Sequence, residues 1–135
     1  MEIKPAAIAE VWAMRQAVMY PGEPIEMVKL PDDDSGVHTG VYEGDELLSV
    51  ISFFEKNNEL QFRKFATRTD KQGQGYGSRL LQYVMDEAVR RQVAAIWCNA
   101  RTNAIPFYQR FGMQPEGESW EKWGHTFIIM KKKFR

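Results

Sequence analysis

Three alternating glycines, Gly73, Gly75 and Gly77, constrain this chain most strongly because they stand between a strand pattern and a helix pattern. Before them, apolar and polar residues alternate over residues 60–67, as in a half-buried strand. After them, apolar residues recur with the spacing of one helix face: Leu81, Val84, Met85 and Ala88. The expected local structure is therefore a strand, a tight turn and an amphipathic helix, in that order.

A glycine-rich turn that opens a helix has the chemistry of an anion site. The first N–H groups of a helix have no carbonyl partner within it, and the helix dipole adds partial positive charge there. Glycine lets the backbone take positive φ and come close to a ligand. The spacing excludes the dinucleotide fingerprint G-x-G-x-x-G and a Walker loop, which ends in Gly-Lys-Ser or Gly-Lys-Thr. The alternative to an anion site is that the glycines only allow the chain to turn and bind no ligand.

A second segment, residues 104–113, has the pattern of a short helix with one aromatic face. Pro106 falls in the first turn, where its missing N–H is not needed, and Gly112 is suited to end the helix. Thr102 or Asn103 is expected to cap it. The expected face is formed by Ala104, Phe107, Tyr108 and Phe111.

Together the two segments resemble a known family. Gln72 and the glycines match Q-x-x-G-x-G, and residues 104–113 are similar to A-x-x-F-Y-x-x-x-G-F, with Met113 in place of the final Phe. Both motifs, in this order, resemble those of the general-control-type N-acetyltransferase (GNAT) superfamily. The resemblance implies an α/β (α+β) fold: a mixed sheet of about six to seven strands flanked by helices, with a V-shaped splay between two central parallel strands. It also implies a single N-acetyltransferase domain over residues 1–135.

In this family, acetyl-coenzyme A (acetyl-CoA) is the cofactor and coenzyme A (CoA) is the product. The resemblance places the pantetheine arm along Phe65, Ala66 and Thr67. Many relatives carry Asn three positions before the second motif; this chain has Arg101 there and Asn103 two residues later, so Asn103 is a candidate cofactor contact and Arg101 is the alternative. The pyrophosphate would meet the N–H groups of the turn, with Ser78 entering the helix: Gln72, Gly73, Gln74, Gly75, Tyr76 and Gly77.

The resemblance also implies the reaction, a direct attack by a primary amine on the thioester carbonyl through a tetrahedral intermediate. A backbone N–H near Phe65 would stabilise the oxyanion, a contact worth ~3 kcal/mol when it is preorganised. Tyr108 would protonate the departing CoA thiolate, since a phenol with a pKa of about 10 can act as a general acid at neutral pH. A purely structural role in the core is the alternative for Tyr108, and it is the preferred interpretation of Phe107.

The general base is less well defined. His38 is the catalytic candidate because histidine changes charge near neutral pH, and Glu59 and His125 are weaker candidates. A structural role is the alternative for all three. Arg15 interrupts the apolar face of the first predicted helix, which favours a structural contact, such as pairing with Asp34. The other interpretation places Arg15 in the acceptor pocket, where it would select a carboxylate-bearing substrate.

Composition sets further expectations. The 18 basic and 18 acidic residues balance, so neither nucleic acid nor a membrane is expected as a partner. The basic run at residues 131–133 is interpreted as a solvated tail. The single cysteine, Cys98, excludes an internal disulfide and a multi-cysteine metal site; no metal is expected, and an inert core thiol is favoured. Because no signal-peptide or membrane-spanning pattern is present, a cytoplasmic location is expected.

The rest of the chain reads as alternating helices and strands. A first helix is expected from Pro5 to Met19, followed by a hairpin with strands over residues 37–42 and 46–54. Two strands, over residues 114–123 and 125–132, are expected to end the chain. The tryptophans are expected in the core, although exposed aromatics at the last turn would border an acceptor site or a homodimer contact.

Three functions are open on these grounds. The leading one is an acetyl-CoA-dependent N-acetyltransferase that acts on a small-molecule or peptide amine. A non-catalytic acyl-CoA sensor would bind the cofactor and transfer nothing, and a purely structural module would bind no CoA. Retention of Tyr108 and of the glycine turn favours the enzyme, whereas acceptor choice depends on loops whose shapes the sequence does not specify.

Overall fold

The structure, a computed structural model, describes residues 1–135. It has three α-helices: α1 (Ile8–Met19), α2 (Tyr76–Arg90) and α3 (Ile105–Gln109). Its strands are β1 (Glu2–Pro5), β2 (Val37–Glu43), β3 (Glu46–Lys56), β4 (Glu59–Thr67), β5 (Ala95–Arg101), β6 (Gln114–Lys122) and β7 (His125–Lys133). Short 3-10 helices occupy Ile25–Val28, Asp33–Ser35, Thr69–Lys71 and Thr102–Ala104.

The seven strands form one mixed sheet in the order β1-β2-β3-β4-β5-β7-β6. The β1–β2, β2–β3, β5–β7 and β6–β7 pairs are antiparallel. The β4–β5 pair is parallel, with residues 59–61 in register with residues 95–97. This parallel ladder covers Glu59 to Gln61 of β4. The predicted α/β class with a mixed sheet is confirmed.

The first strand, β1, is absent from the sequence prediction, which begins a helix at Pro5. In the structure Glu2–Pro5 pairs with β2, and Ala6 N–H donates to His38 C=O at 2.9 Å. Proline is tolerated here because β1 is an edge strand. The predicted helix start is therefore wrong, and α1 begins at Ile8. A strand of four residues has too little alternation to be recognised without the partner strand that stabilises it.

The chain forms two compact units. The first comprises Met1–Phe54 and Lys64–Val84, and the second comprises Glu55–Arg63 and Met85–Arg135. In the first unit, one buried cluster joins α1 to β2, β3 and the end of β4: Val11, Met14, Tyr42, Leu47, Val50 and Ala66. This packing fixes the strand segment that is expected to carry the pantetheine arm.

The predicted apolar stripe of α2 is confirmed by its burial. None of its four residues is more than 4% exposed, whereas Val89, outside the stripe, is 60% exposed. The second unit has its own buried residues from β4, β5 and β7, including Leu60, Ile96 and Met130. None of the helices combines the length and the apolar character needed to cross a membrane.

The basic run at the end of the chain is part of β7 and is not the predicted solvated tail. Lys131 Nζ lies 3.0 Å from a carboxylate oxygen of Glu59. Lys132 Nζ donates to Phe111 C=O at 3.2 Å. The lysines are held because strand pairing aligns them with acceptors that lie far away in sequence.

The tryptophans differ from one another in burial. Trp123, at the β6–β7 turn, is 75% exposed, so its predicted place in the core is wrong. The ammonium group of Lys122 lies 4.4 Å from the centre of its ring. The remaining tryptophans, Trp12, Trp97 and Trp120, are half-buried.

Candidate active site

The glycine turn connects β4 to α2 and leaves N–H groups available at the start of the helix. Gly73 and Gly75 have φ values of 76° and 89°, in the region that favours glycine. The first bond of the helical pattern runs from Arg79 N–H to Gly75 C=O, at 3.1 Å. The N–H groups of residues 75–78 therefore precede the helical ladder, which is the condition for an anion site at a helix N-terminus.

Open space adjoins two of the three glycines. A Cβ atom built on Gly73 or Gly75 would have no heavy atom within 4 Å. A Cβ atom on Gly77 would instead lie 3.3 Å from the Phe65 ring and 3.4 Å from the Thr67 hydroxyl. Gly73 and Gly75 are thus required by backbone conformation and leave room for a ligand. At Gly77 a side chain would be crowded, because α2 comes close to β4 there.

Side-chain hydrogen bonds fasten the turn to the end of β4. Gln72 Nε2 donates to Thr67 C=O at 3.1 Å, so the glutamine of the motif ties the turn to the strand. Gln74 Nε2 donates to Asp70 C=O at 3.2 Å. Arg68 also holds Asp70, with a distance of 2.7 Å between guanidinium nitrogen and carboxylate oxygen. These bonds preorganise the turn before any ligand arrives.

Positive charge lies on both sides of the turn. Lys71 directly precedes Gln72, and Arg79 lies in the first turn of α2. The Arg79 guanidinium contacts the sulfur of Met1 and no carboxylate. Arg68, by contrast, has its charge paired with acidic residues. Lys71 also interacts with the Asp70 carboxylate, whereas Arg79 has no acidic partner, so Arg79 above all favours binding of an anion at this position.

Ser49 supports the β4 segment from the neighbouring strand β3, and sequence reasoning missed it. Its buried hydroxyl donates to Ala66 C=O at 3.1 Å and lies 2.8 Å from the Thr67 hydroxyl. Ser49 is one of two serines within the otherwise apolar run of β3, the other being Ser52, and these polar residues were the available signal. The contact holds two of the three residues expected to carry the pantetheine arm.

In the second unit, the Tyr108 hydroxyl of α3 is hydrogen-bonded to the thiol of Cys98 on β5. The Tyr108 ring also contacts Phe62 and Phe107, with ring centres 5.9 and 5.1 Å away. Cys98 is 2% exposed, which confirms the predicted core thiol. The aromatic contacts and the thiol fix the phenol in one orientation.

Both groups of this pair hold their protons at neutral pH. Burial raises the pKa of Tyr108 above its ordinary value of 10.0, and the neighbouring Cys98 raises it further. Burial also raises the pKa of Cys98, to about 12, although the hydrogen bond with Tyr108 opposes this. Tyr108 can therefore donate a proton, and Cys98 has no thiolate with which to act as a nucleophile.

The predicted cap of α3 is wrong. Thr102 and Asn103 lie in a 3-10 helix that leads directly into α3, and Ala104 is the N-cap residue, without a side-chain hydrogen bond. Pro106 lacks an N–H, so the first turn has less need of a capping side chain. Asn103 is exposed. Its predicted contact with the cofactor stays a prediction.

Arg15 forms a buried ion pair, but its partner is Asp33 rather than Asp34. Its two terminal nitrogens lie 2.9 and 3.0 Å from the two carboxylate oxygens of Asp33, and Arg15 is fully buried. Burial alone would raise the pKa of Asp33. Hydrogen bonds from Arg15, Leu30 N–H and the Trp12 indole outweigh it and lower the pKa to about 2. This pair fixes the segment after α1, so Arg15 is not available to bind an acceptor.

His38 belongs to the same network through both ring nitrogens. Its Nε2 lies 2.9 Å from Asp33 C=O, and its Nδ1 lies 2.7 Å from the Ser52 hydroxyl. A carbonyl oxygen can only accept, so Nε2 donates to it, and in the neutral form of the ring Nδ1 then accepts from Ser52. Ser52 in turn accepts from Arg15 at 2.9 Å. These bonds favour a positioning role, and the prediction that His38 is the general base stays a prediction.

The other two candidate bases also have structural contacts. Glu59 is paired with Lys131. His125 is exposed at the start of β7, and its ring lies edge-on to Phe127, with centres 6.4 Å apart. Neither contact adds support for a catalytic role.

Comparison with known proteins identifies the family. The chain belongs to the acetyltransferase (GNAT) domain family, whose model matches residues 18–134. It is 27% identical to the uncharacterized N-acetyltransferase YitI of Bacillus subtilis (strain 168), over 100% of this chain and 97% of that protein. The family assignment makes the protein an acyltransferase of the N-acetyltransferase type.

Solved structures share the fold at low sequence identity. The ribosomal-protein-S18-alanine N-acetyltransferase of Escherichia coli is 17% identical, with a TM-score of 0.81 over 98% of this chain and 92% of that one. A GNAT family acetyltransferase of Elizabethkingia anophelis, solved with acetyl-CoA bound, is 14% identical, with a TM-score of 0.76 over 98% and 97% of the two chains. These likenesses confirm the predicted GNAT fold.

Proposed function

We propose that this protein transfers the acetyl group of acetyl-CoA to the primary amine of a small-molecule or peptide acceptor. The observation that carries the proposal is the glycine turn between β4 and α2. Its two positive-φ glycines have open space where a Cβ would stand, and its N–H groups precede the helical ladder. A GNAT family acetyltransferase of the same fold was solved with acetyl-CoA bound, which supports the choice of ligand.

The residues of the first unit fit such a ligand. The N–H groups of residues 72–77 would hold the pyrophosphate, and the charges of Lys71 and Arg79 would reinforce the binding. Phe65, Ala66 and Thr67 would pair with the pantetheine arm through the backbone. Ser49 and Gln72 already hold that segment in place, so little order has to be created on binding.

Acetyl-CoA, when bound, supplies a thioester that an amine can attack. The part of Tyr108 is to donate its proton toward the sulfur that leaves. Its raised pKa keeps the phenol protonated across the neutral range. An ordinary thiol has a pKa of about 8.5, so the phenol is the weaker acid and acts mainly by donating a strong hydrogen bond. The hydrogen bond between Tyr108 and the Cys98 thiol supports a role of this hydroxyl toward sulfur.

For the general base, His38 is the candidate that a variant can test. To accept a proton from an amine, its imidazole would have to release the Ser52 hydroxyl from Nδ1. Replacement by glutamine keeps two polar contacts but removes the titrating ring. A base would lose the acidic limb of its pH–rate profile in this variant, whereas a positioning residue would lose rate at every pH alike.

Calorimetry with CoA, combined with a free-thiol assay over a panel of amines, tests the proposal. We expect binding of CoA and acetyl-CoA, and thiol release that depends on the amine. Binding without turnover on a broad panel would favour an acyl-CoA sensor. The absence of binding heat at millimolar CoA, with a correctly folded protein, would remove the phosphate site and the proposed reaction together.

A further inference from the structure

A lysine stands in an unusual backbone conformation inside β4. Lys64 has a φ of 53° and directly precedes Phe65, the first residue of the segment proposed to carry the pantetheine arm. The other non-glycine residues with positive φ lie in turns: Asn57, Asn58, Gln92 and Trp123. A non-glycine outlier within a regular element costs free energy and is typical of ligand-binding positions.

The Lys64 ammonium is held by an aromatic residue and not by an acid. Its Nζ donates to the Tyr20 hydroxyl and lies 4.8 Å from the centre of the Tyr20 ring. Both side chains are half-buried. Two other lysines of the same unit lie over aromatic rings, and each also has a carboxylate partner: Lys4 with Tyr42 and Glu2, and Lys29 with Trp12 and Glu26.

The pair therefore has hydrogen-bond donors left over. An ammonium has three N–H donors, and Lys64 gives one of them to Tyr20. Because Tyr20 accepts that bond, its own O–H remains to donate elsewhere. Because no carboxylate lies beside the ammonium, its charge is available to an anion. The pair thus offers one positive charge, the free N–H donors of Lys64 and the O–H donor of Tyr20. A carboxylate, with its negative charge and two acceptor oxygens, is complementary to this set.

The pair lies beside the strand segment that is proposed to carry the thioester arm. Tyr20 is the C-cap residue of α1 and opens the segment of residues 21–36, which the buried Arg15–Asp33 pair holds in place. Lys64 is adjacent in the chain to the strand segment proposed for the thioester arm. Arg15, the other cation considered for a carboxylate, is fully buried and has Asp33 as its partner.

We infer that Lys64 and Tyr20 bind a carboxylate of the acceptor, so that the substrate class is an amine that also carries a carboxylate. The inference rests on the proposed function and specifies its acceptor. The carboxylate would bridge the remaining ammonium protons and the phenol O–H, which orients the amine relative to β4. This contact acts on binding of the acceptor, so its loss appears in KM more than in kcat.

Matched acceptors test the inference. Each carboxylate-bearing amine in a panel of amino acids, ω-amino acids and short peptides is paired with its carboxamide. Rates are compared at equal concentrations of the free amine, because loss of the carboxylate also changes the amine pKa. We expect kcat/KM to be at least tenfold higher for the carboxylates, an effect typical of one charge-assisted contact.

Variants assign the effect to the two residues. Lys64→Gln keeps a polar hydrogen-bonding side chain, one atom shorter, and removes the charge, and it should bring the carboxylate-to-amide ratio close to one. Lys64→Arg should restore most of the ratio, and Tyr20→Phe should lower it about threefold or more. Lys29→Gln, which removes a lysine that lies over Trp12 and already has an acid partner, serves as the control and should leave the ratio unchanged.

Failure of the inference is distinct from failure of the proposed function. If CoA binds but only carboxylate-free amines are acetylated, the inference is overturned and the proposed function stands. If CoA binds but no amine of the panel is acetylated, the proposed transfer fails and the inference falls with it. Loss of CoA affinity by tenfold or more in Lys64→Gln would also overturn it, because the pair would then serve the cofactor. If the wild type binds no CoA, the proposed function fails first and the inference falls with it.

Discussion

Replacement of Gly75 by valine separates ligand binding from backbone strain, because the chain contains a matched glycine outside the site. Gly75 has a φ of 89°, and Gly44, in the β2–β3 turn, has a φ of 59°. A Cβ atom at either position would meet no heavy atom within 4 Å. Valine is therefore strained at both positions, and its Cβ atom meets no protein atom at either.

Both variants should lose a similar amount of folding free energy, but only Gly75→Val should lose binding free energy for CoA. The left-handed backbone conformation should cost about 1–2 kcal/mol of stability in Gly75→Val and in Gly44→Val alike. In Gly75→Val alone, the branched side chain would occupy the open space proposed for the phosphates. Loss of one hydrogen bond to a charged group costs about 1.5–3 kcal/mol, which corresponds to CoA binding roughly 10 to 150 times weaker.

Two measurements decide the outcome. Urea unfolding gives the stability of each variant, and calorimetry at a temperature where both are folded gives the CoA dissociation constant. Wild-type affinity in folded Gly75→Val would refute the phosphate site at this turn. Equal losses of affinity in both variants would refute the local explanation and assign the effect to strain.

The remaining predictions concern the phenol and the buried ion pair. Tyr108→Phe should lower kcat roughly 100-fold while CoA affinity changes less than about twofold; an unchanged kcat would remove Tyr108 from the mechanism. Arg15→Met should destabilise the protein by about 3–5 kcal/mol at pH 7, since the Asp33 carboxylate is left buried without its partner, and urea unfolding measures this loss. Folding lowers the pKa of Asp33 from 3.8 to about 2, so its ionised carboxylate adds about 2 kcal/mol to the free energy of unfolding. This contribution is fully present above about pH 5 and is lost as the pH falls toward 2. Asp33→Asn should lack this part of the acid dependence, and an unchanged pH dependence would contradict the assignment.

The parts of the candidate site that depend on residues adjacent in sequence could be predicted. The glycine turn lies within one continuous segment, and both the need for positive φ and the absence of Cβ atoms are properties of its own residues. The buried stripe of α2 follows from spacing along the same helix. The structure adds what the glutamine of the motif does, since the bond from Gln72 to Thr67 joins residues whose spacing alone does not fix their contact.

Partners from distant segments were not predictable in the same way. Arg15 and Asp33 are separated by 18 positions, and the neighbouring Asp34 is equally plausible from sequence. Only the 3-10 helix at Asp33–Ser35 turns one carboxylate inward and leaves the other exposed. His38, a candidate base by residue type, gains two internal hydrogen bonds for the same reason.

The sequence by itself determined the family, the strand–turn–helix unit and the position of Tyr108, because periodicity, glycine conformation and motif spacing act over a few neighbouring residues. Tertiary structure alone decided that Glu2–Pro5 is an edge strand, that Tyr108 is paired with Cys98, and that Lys64 has Tyr20 beside it without a counter-ion. Lys64 and Tyr20 are 44 positions apart. Contacts of this kind depend on folding to bring the segments together, and no local pattern in either segment specifies them.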